Sequence, residues 1–578
     1  MHQGIKSYLN ARISAGEPVL NTPSTNRVLG DLHSRSVVRF VQDGQAIVYG
    51  SFEGFRGKHK SAVCETIVAP LLVERGYKIE HGAPIMNGWE PWRRAFLAST
   101  KREFNFDPNI LKEAKDGYLR DILERLPSEE LSLIEVYDDM TAINGVPGVK
   151  YVDKMKRNTS AGNPWKKSKK YLISPLSFVN AEIDGMYIDE KHDILSSIMY
   201  DDAITFDEEV MARVDDCILK YHAGERYCPV FCAHLKDEAT SFKKIAIAKT
   251  RVFSGAPADW SIVVRKYLLS VVRVMQRNKL VFECAPGTVA QSQEWELFYN
   301  YLTQFGEDQI VAGDYKEFDK SMQANLILMA FDILIELCEK AGYTSKDLMV
   351  VEGIALDTAY SFMDFNGDLI QFFGQNPSGH PLTVIINCIV NSIYLRYAYI
   401  KLNPHKEVSS FRKNVAPLTY GDDNIMGISQ NIPWYNHTTI SEVFSTVGLG
   451  YTMADKEAES VPYINISEAT FLKRSWRWDE DLQTHVCPIE HDSINRSLTM
   501  CVKSKTLCPE AQAIEVIGSA HREYFFYGKD VFEEKEKLLR EIVQAAGLQL
   551  YVNDATFQTW DALKEKWFSY KVDIHKIT

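Results

Sequence analysis

Between residues 383 and 400 the chain reads TVIINCIVNSIYLRYAYI, apolar almost throughout and carrying one charge, Arg396. Hydropathy by itself points to a membrane span. Thr383, Asn387 and Asn391 recur at every fourth position, however, so a helix here bears a polar stripe along one face. The pattern predicts a buried helix with one working edge. Upstream, residues 325–340 (NLILMAFDILIELCEK) keep the helical period and gather Asp332, Glu336, Glu339 and Lys340 on one side, while the short apolar run QIVAGD at 309–314 predicts a buried strand. Downstream, VAPLTYGDDNIMGIS places two apolar segments around Gly-Asp-Asp, which predicts a β-hairpin presenting Asp422 and Asp423 at its tip.

After Phe471 the pattern turns mostly helical, with amphipathic stretches at 509–527 and 529–546, the second ending at Gly547. Residues 1 to about 268 mix short apolar runs with Gly, Pro and basic residues, the signature of loops and irregular structure. No tandem repeat or low-complexity tract divides the chain. With 578 residues, 45% of them hydrophobic, it can bury a large core and divides into several subdomains. Ten scattered cysteines suit reduced thiols in a cytosolic setting, and no secretory signal pattern opens the sequence. Cys228, Cys232 and His234, like His485, Cys487 and His491, lie close in sequence but lack a tetrahedral complement, so no zinc site is expected.

Charge changes the picture in one place. A formal net charge of −12 argues against indiscriminate coating of nucleic acid, yet residues 150–170 carry Lys150, Lys154, Lys156, Arg157, Lys166, Lys167, Lys169 and Lys170 against Asp153 alone. Taken by itself, such a run is a solvated surface loop.

The acids need an explanation. Adjacent carboxylates at a hairpin tip repel each other, and in isolation such aspartates would serve only to cap backbone groups in the turn. A second acidic site alters that reading: Asp314 closes the predicted strand and Asp319 follows five residues later. Carboxylates arriving from two strand ends can share divalent cations, and a pair of Mg²⁺ ions stabilises both the attacking and the leaving oxygen of a phosphoryl transfer.

Taken in order, DYKEFD (with Asp314 and Asp319), SGHPLTVIIN and YGDD resemble the palm motifs of viral RNA-dependent RNA polymerases, and NPSGHPLT, YGDD and TMADK resemble the picorna-like branch. The resemblance runs from about Asn158 to Arg474. It implies an α+β right-hand fold with fingers, a palm whose antiparallel sheet is backed by helices, and a helical thumb. The implied division is 1–150 as an N-terminal region contributing to the fingers, 151–268 as fingers, 269–475 as palm with a fingers insertion before Ser378, and 476–578 as thumb. The implied function is replication of a positive-strand RNA genome from NTPs, with Asp314, Asp422 and Asp423 binding two Mg²⁺ ions, for which Mn²⁺ can substitute, and Lys456 as general acid. Asp319, Ser378, Gly379, Thr383 and Asn387 form the implied ribose pocket. Lys236, Lys244, Lys249 and Arg251 match the family's basic finger segment in the NTP channel, where Thr240 departs from an expected arginine and Lys243 is the candidate replacement. Thr159, Ser160, Ala161 and Gly162 match a template-guiding loop, and Lys473 and Arg474 a primer grip. For Asn391 the expectation is ordinary helix–helix hydrogen bonding.

Implied partners are template and primer RNA, NTPs, a small genome-linked protein primer and other viral replication proteins, with no transmembrane segment in the chain itself. The implied location is the host cytoplasm at membrane-associated replication complexes. Gln3–Gly4 resembles a junction cut by picorna-like cysteine proteases, consistent with a polyprotein origin. A reverse transcriptase shares the metal logic, but it would place a bulky apolar residue at the ribose and has no use for Asp319, Thr383 and Asn387. A nucleotide cyclase would not need the template loop, and an RNA-binding scaffold would not need every acid.

Overall fold

The computed structural model describes residues 46–51, 60–100, 104–175, 203–454 and 458–570. Gln3–Gly4 and Lys456 lie outside the described residues. At the centre stands a four-stranded antiparallel sheet in the spatial order Val415–Tyr420, Asp423–Ile428, Ile310–Tyr315, Tyr451–Met453. Its strands read as unbroken apolar runs because both faces are covered. Val311, Tyr315, Met426 and Ile428 face a core shared with the Ala324–Lys340 and Thr383–Leu402 helices. The alternate residues Ile310, Ala312, Leu418 and Ile425 face a second core with Trp295, Phe298 and Leu302. The predicted strand, long helix and hairpin therefore all appear, each within a residue or so of its expected ends.

The Thr383–Leu402 helix is, among the described residues, the one helix long and apolar enough to cross a bilayer, and 89% of that apolar window is buried inside the protein. Its lone charge explains its place. Arg396 is fully buried and donates from Nη2 to Asp121 (2.7 Å) and to Glu283 (2.6 Å), while Arg412 donates to Glu283 at 2.7 Å. Burial alone would raise the Glu283 carboxyl, but the two guanidiniums hold it down to about 2. Asp121 belongs to the Pro108–Arg125 helix, so the cluster fastens that helix to the back of the central sheet.

A second, five-stranded sheet is built from remote segments, in the order Ala46–Ser51, Asp368–Phe372, Phe362–Phe365, Val230–Leu235, Val252–Gly255. Its Phe362–Phe372 hairpin closes on Asn366–Gly367, both at positive φ (55° and 100°), the backbone that a tight two-residue loop demands. This hairpin immediately precedes the NPSG segment that enters the Thr383–Leu402 helix. The C-terminal region is helical, with His491–Thr499, Pro509–Tyr524, Lys529–Ala545 and Trp560–Ser569 packed around Ile517, Phe525, Phe532 and Leu539. The described part of the first 150 residues is spread over the molecule: Val63–Glu65 pairs with Met500–Val502 in the C-terminal region, and Pro108–Arg125 lies against the Thr383–Leu402 helix.

Candidate active site

The hairpin closes on the pair Tyr420↔Asp423, which leaves Gly421 and Asp422 as its two-residue tip. Gly421 takes φ = 65°, the left-handed backbone required at the first position of such a loop. Asp422 is thus at the exposed tip, whereas Asp423, expected there too, opens the returning strand. Asn424 pairs with Gly313 on the neighbouring strand, and one residue further along that antiparallel register Asp314 stands opposite Asp423. Residues opposed in this way share a face of the sheet. Asp314 and Asp423 therefore come from strands separated by more than a hundred residues of sequence.

What holds the turn is the polar stripe of the long helix. Asn391, fully buried, donates from Nδ2 to the backbone carbonyls of Gly421 (3.0 Å), Asp422 (3.2 Å) and Asp423 (3.3 Å), and its Oδ1 accepts from the Tyr315 hydroxyl (3.1 Å). Cys388 Sγ accepts from the Gly421 N–H at 3.1 Å. This corrects the expectation for Asn391: among the described residues its side chain bonds no other helix but ties the acidic turn to the residue following Asp314. Sequence shows its spacing, not its partner.

The residues expected to form a sugar pocket gather at the start of the same helix. Asn387 donates to Asp319 Oδ1 at 2.5 Å. Burial raises the Asp319 carboxyl; the Asn387 amide opposes this, the Asp422 charge adds to it, and Arg251 counters it from the basic segment. Thr383 spends its hydroxyl locally, donating toward the carbonyls of Pro377 (2.7 Å) and His380 (2.8 Å), and so shapes the loop instead of pointing outward. Ser378 Oγ accepts from the Ser254 N–H at 3.1 Å. At Gly379 a Cβ would come within 1.8 Å of the Ser254 carbonyl oxygen, so only glycine lets this loop lie on the neighbouring strand. Burial pulls the His380 imidazole down to about 3, and its neutral ring bridges the Leu382 N–H to the Thr358 hydroxyl.

The basic segment is at the surface and held by acids. Lys236 and Arg251 both pair with Glu238 (2.8 and 3.3 Å), Lys249 approaches Glu317 at 3.8 Å, and Lys243 and Lys244 are exposed. In the loop at 159–162, Thr159 and Ser160 are exposed while Ala161 and Gly162 are buried against the start of the Ala258–Arg277 helix, whose Ala258 N–H donates to the Ala161 carbonyl at 2.9 Å. Lys169 donates to Thr159 Oγ1 (2.8 Å) and to the Ser160 carbonyl (3.1 Å); burial and the nearby Arg265 draw its ammonium down to about 8. Lys473 is exposed at φ = 62°, a short reach from Glu490. Arg474, expected to grip a primer alongside it, is instead turned inward: it is 8% exposed and makes a bidentate pair with Glu523 at 2.8 and 2.9 Å. Its planar fork suits a buried carboxylate, and that use turns it away from the surface where Lys473 is exposed.

The acids suit hard cations by donor chemistry, since each supplies carboxylate oxygens. Among the described residues no three His, Cys, Asp or Glu side chains form a closed cluster. The register that pairs Asn424 with Gly313 brings the strand ends carrying Asp314 and Asp423 side by side near the Asp422 tip, and the Asp422 charge acts on Asp319. Mutual repulsion keeps such carboxylates apart until a cation offsets it.

This sheet, its acidic turn and the helical lobe beside them define a right-hand nucleotide polymerase fold. Residues 133–490 match the family model described as viral RNA-dependent RNA polymerase, and the chain belongs to that family, in its picorna-like branch. The chain is 29% identical over 376 residues to the replicase polyprotein of Cricket paralysis virus and 28% identical over 445 residues to that of Drosophila C virus. Those matches cover 61% and 74% of this chain but only 21% and 24% of the polyproteins. A solved structure titled Sicinivirus 3Dpol RNA dependent RNA polymerase shares the fold with a TM-score of 0.71 at 18% identity, covering 90% of this chain and 99% of that one.

Proposed function

We propose that the protein copies RNA from an RNA template, joining ribonucleotides to an RNA 3′-hydroxyl, with Asp314, Asp422 and Asp423 as the ligands of two Mg²⁺ ions. The observation that carries this reading is the register that pairs Asn424 with Gly313, so that the strand ends carrying Asp314 and Asp423 lie side by side next to a turn held by Asn391. Ions bound there stabilise charge on the attacking and leaving oxygens and lower the pKa of the attacking hydroxyl. Everything else falls to the chain's own side chains. Lys236 and Arg251 exchange Glu238 for the triphosphate of the incoming nucleotide, a stronger acceptor set for both cations. Asp319 and Asn387 orient the sugar, with Ser378 and Gly379 shaping its approach. Thr159 to Gly162 guide the template past flanking lysines that neutralise phosphates without reading sequence, and Lys473 meets the primer. Lys456 gives a proton to the departing pyrophosphate. The replicase polyproteins it resembles favour work alongside other viral replication proteins. The family resemblance alone favours the host cytoplasm at membrane-associated replication complexes, with a small genome-linked protein as primer.

The test is Asp422→Ala in template-directed primer extension with Mg²⁺. Incorporation should fall to background while RNA affinity stays near that of the parent; turnover at the parental rate contradicts the assignment.

A further inference from the structure

Asn376 precedes Pro377 and Ser378 in the NPSG segment, where local chemistry alone makes it a turn residue. Its structural position is more specific. The side chain is 3% exposed, its backbone N–H donates to the backbone carbonyl of Asp319 (3.1 Å), and its Nδ2 donates to Asn387 Oδ1 (2.8 Å) and to the Thr383 carbonyl (3.1 Å). Asn387 in turn donates to Asp319. The three residues close a ring that joins the segment after the Asp314 strand to the helix carrying Asn387.

A carboxamide can turn over with almost no change of shape, so its polarity is decided by its partners. Asn376 presents a donor, so Asn387 must offer it the oxygen and turn its NH₂ to Asp319. The other end of Asn376 is equally telling. Its Oδ1 is buried without a hydrogen-bond partner among the described residues, and the side chain lines a cavity of about 80 Å³ together with Asp319, Ser378, Gln375 and Ser99. A buried acceptor left open costs free energy until a donor arrives.

We infer that Asn376 is a specificity-determining residue for the sugar: it fixes the amide polarity of Asn387 and adds an acceptor for a ribose hydroxyl beside Asp319. The inference rests on the polymerase reading proposed above and adds a residue to its sugar pocket. A 2′-deoxynucleotide leaves such an acceptor unanswered, and sites built to bond a hydroxyl reject analogues lacking it.

The measurement is the ratio of kcat/KM for UTP to that for dUTP on one template and primer. Both substrates meet the same preparation, so partial misfolding cancels from the ratio. Asn376→Asp keeps shape and acceptor but loses the donor, which turns Asn387 over; Asn376→Ala loses both. Each should lower the ratio roughly tenfold, the scale of one buried hydrogen bond. Asn387→Ala is measured in parallel. If it lowers the ratio while both Asn376 variants stay within about twofold of the parent, a range well inside one hydrogen bond, the role of Asn376 is overturned and the pocket survives. If Asn387→Ala also leaves the ratio unchanged, the sugar pocket itself is misplaced and the inference falls with it.

Discussion

Truncating Asn391 removes the one side chain, among the described residues, that touches all three backbone carbonyls of the acidic turn. Its two N–H donors serve the carbonyls of Gly421, Asp422 and Asp423, and the hydroxyl of Tyr315 loses its acceptor. Two to three hydrogen bonds disappear at about 1 kcal/mol net each, and the buried Tyr315 hydroxyl left without a partner adds a further ~1 kcal/mol. Asn391→Ala should therefore cost roughly 3–4 kcal/mol locally, more than a surface substitution and less than the whole fold. That cost falls on the segment carrying Asp422 and Asp423 and on the strand carrying Asp314. A displacement near 1 Å at reacting groups costs on the order of 10²-fold in rate. Quench-flow extension by one nucleotide should show kcat reduced by about that factor, with KM for the NTP changed little, because the triphosphate contacts proposed above belong to the separate basic segment. Hydrogen exchange should rise in the peptide spanning the turn. Tyr315→Phe, which keeps the three carbonyl bonds, should lose only about 1 kcal/mol. A kcat for Asn391→Ala within about twofold of the parent, far below the loss expected from a shifted turn, refutes the reasoning.

Asp319 and the buried ion cluster give two more predictions. Burial, with the Asp422 charge, raises the Asp319 carboxyl above its ordinary 3.8, so the stability it lends is complete below that pH and lost as pH rises through its raised value. At pH 7.5 the ionised group is a net cost, so Asp319→Asn should raise Tm there, with the gain shrinking toward pH 4; a lowered Tm at pH 7.5 contradicts this. Arg396→Met takes from buried Asp121 its 2.7 Å guanidinium partner and leaves Glu283 paired with Arg412 alone, and should cost about 3–5 kcal/mol in denaturant unfolding. Because Glu283 is held down to about 2, the stability from its ion pairs is present above its ordinary 4.5 and lost as pH falls through about 2; acid unfolding of the parent should extend into that range.

Local periodicity carried the central elements. The strand at 310–315, the helix at 324–340 and the hairpin around Gly421 announced themselves because their apolar patterns and turn residues are contiguous. The polar stripe of the Thr383–Leu402 helix was legible too, and it decided against a membrane span. Partners distant in sequence were not. Arg396 meets Asp121 across 275 positions, Asn391 meets Gly421 across 30, and the Ala46–Ser51 strand pairs with Asp368–Phe372; no window of periodicity contains such pairs. The inward turn of Arg474 was hidden for the same reason, since its pairing with Glu523 depends on how the C-terminal helices fold back. Asn376 was hidden by its neighbours, because an Asn before Pro reads as turn chemistry whatever its side chain goes on to bind.

The central claim is that acids from separate strands converge on shared cations. It is tested most directly by anomalous diffraction from crystals of the protein soaked with template, primer, a nonhydrolysable NTP and Mn²⁺. The account predicts two anomalous peaks between the carboxylates of Asp314 and Asp422, with Asp423 beside them and the triphosphate against Lys236 and Arg251. Peaks placed elsewhere, with the Asp314 and Asp422 carboxylates apart and sharing no ion, would contradict it.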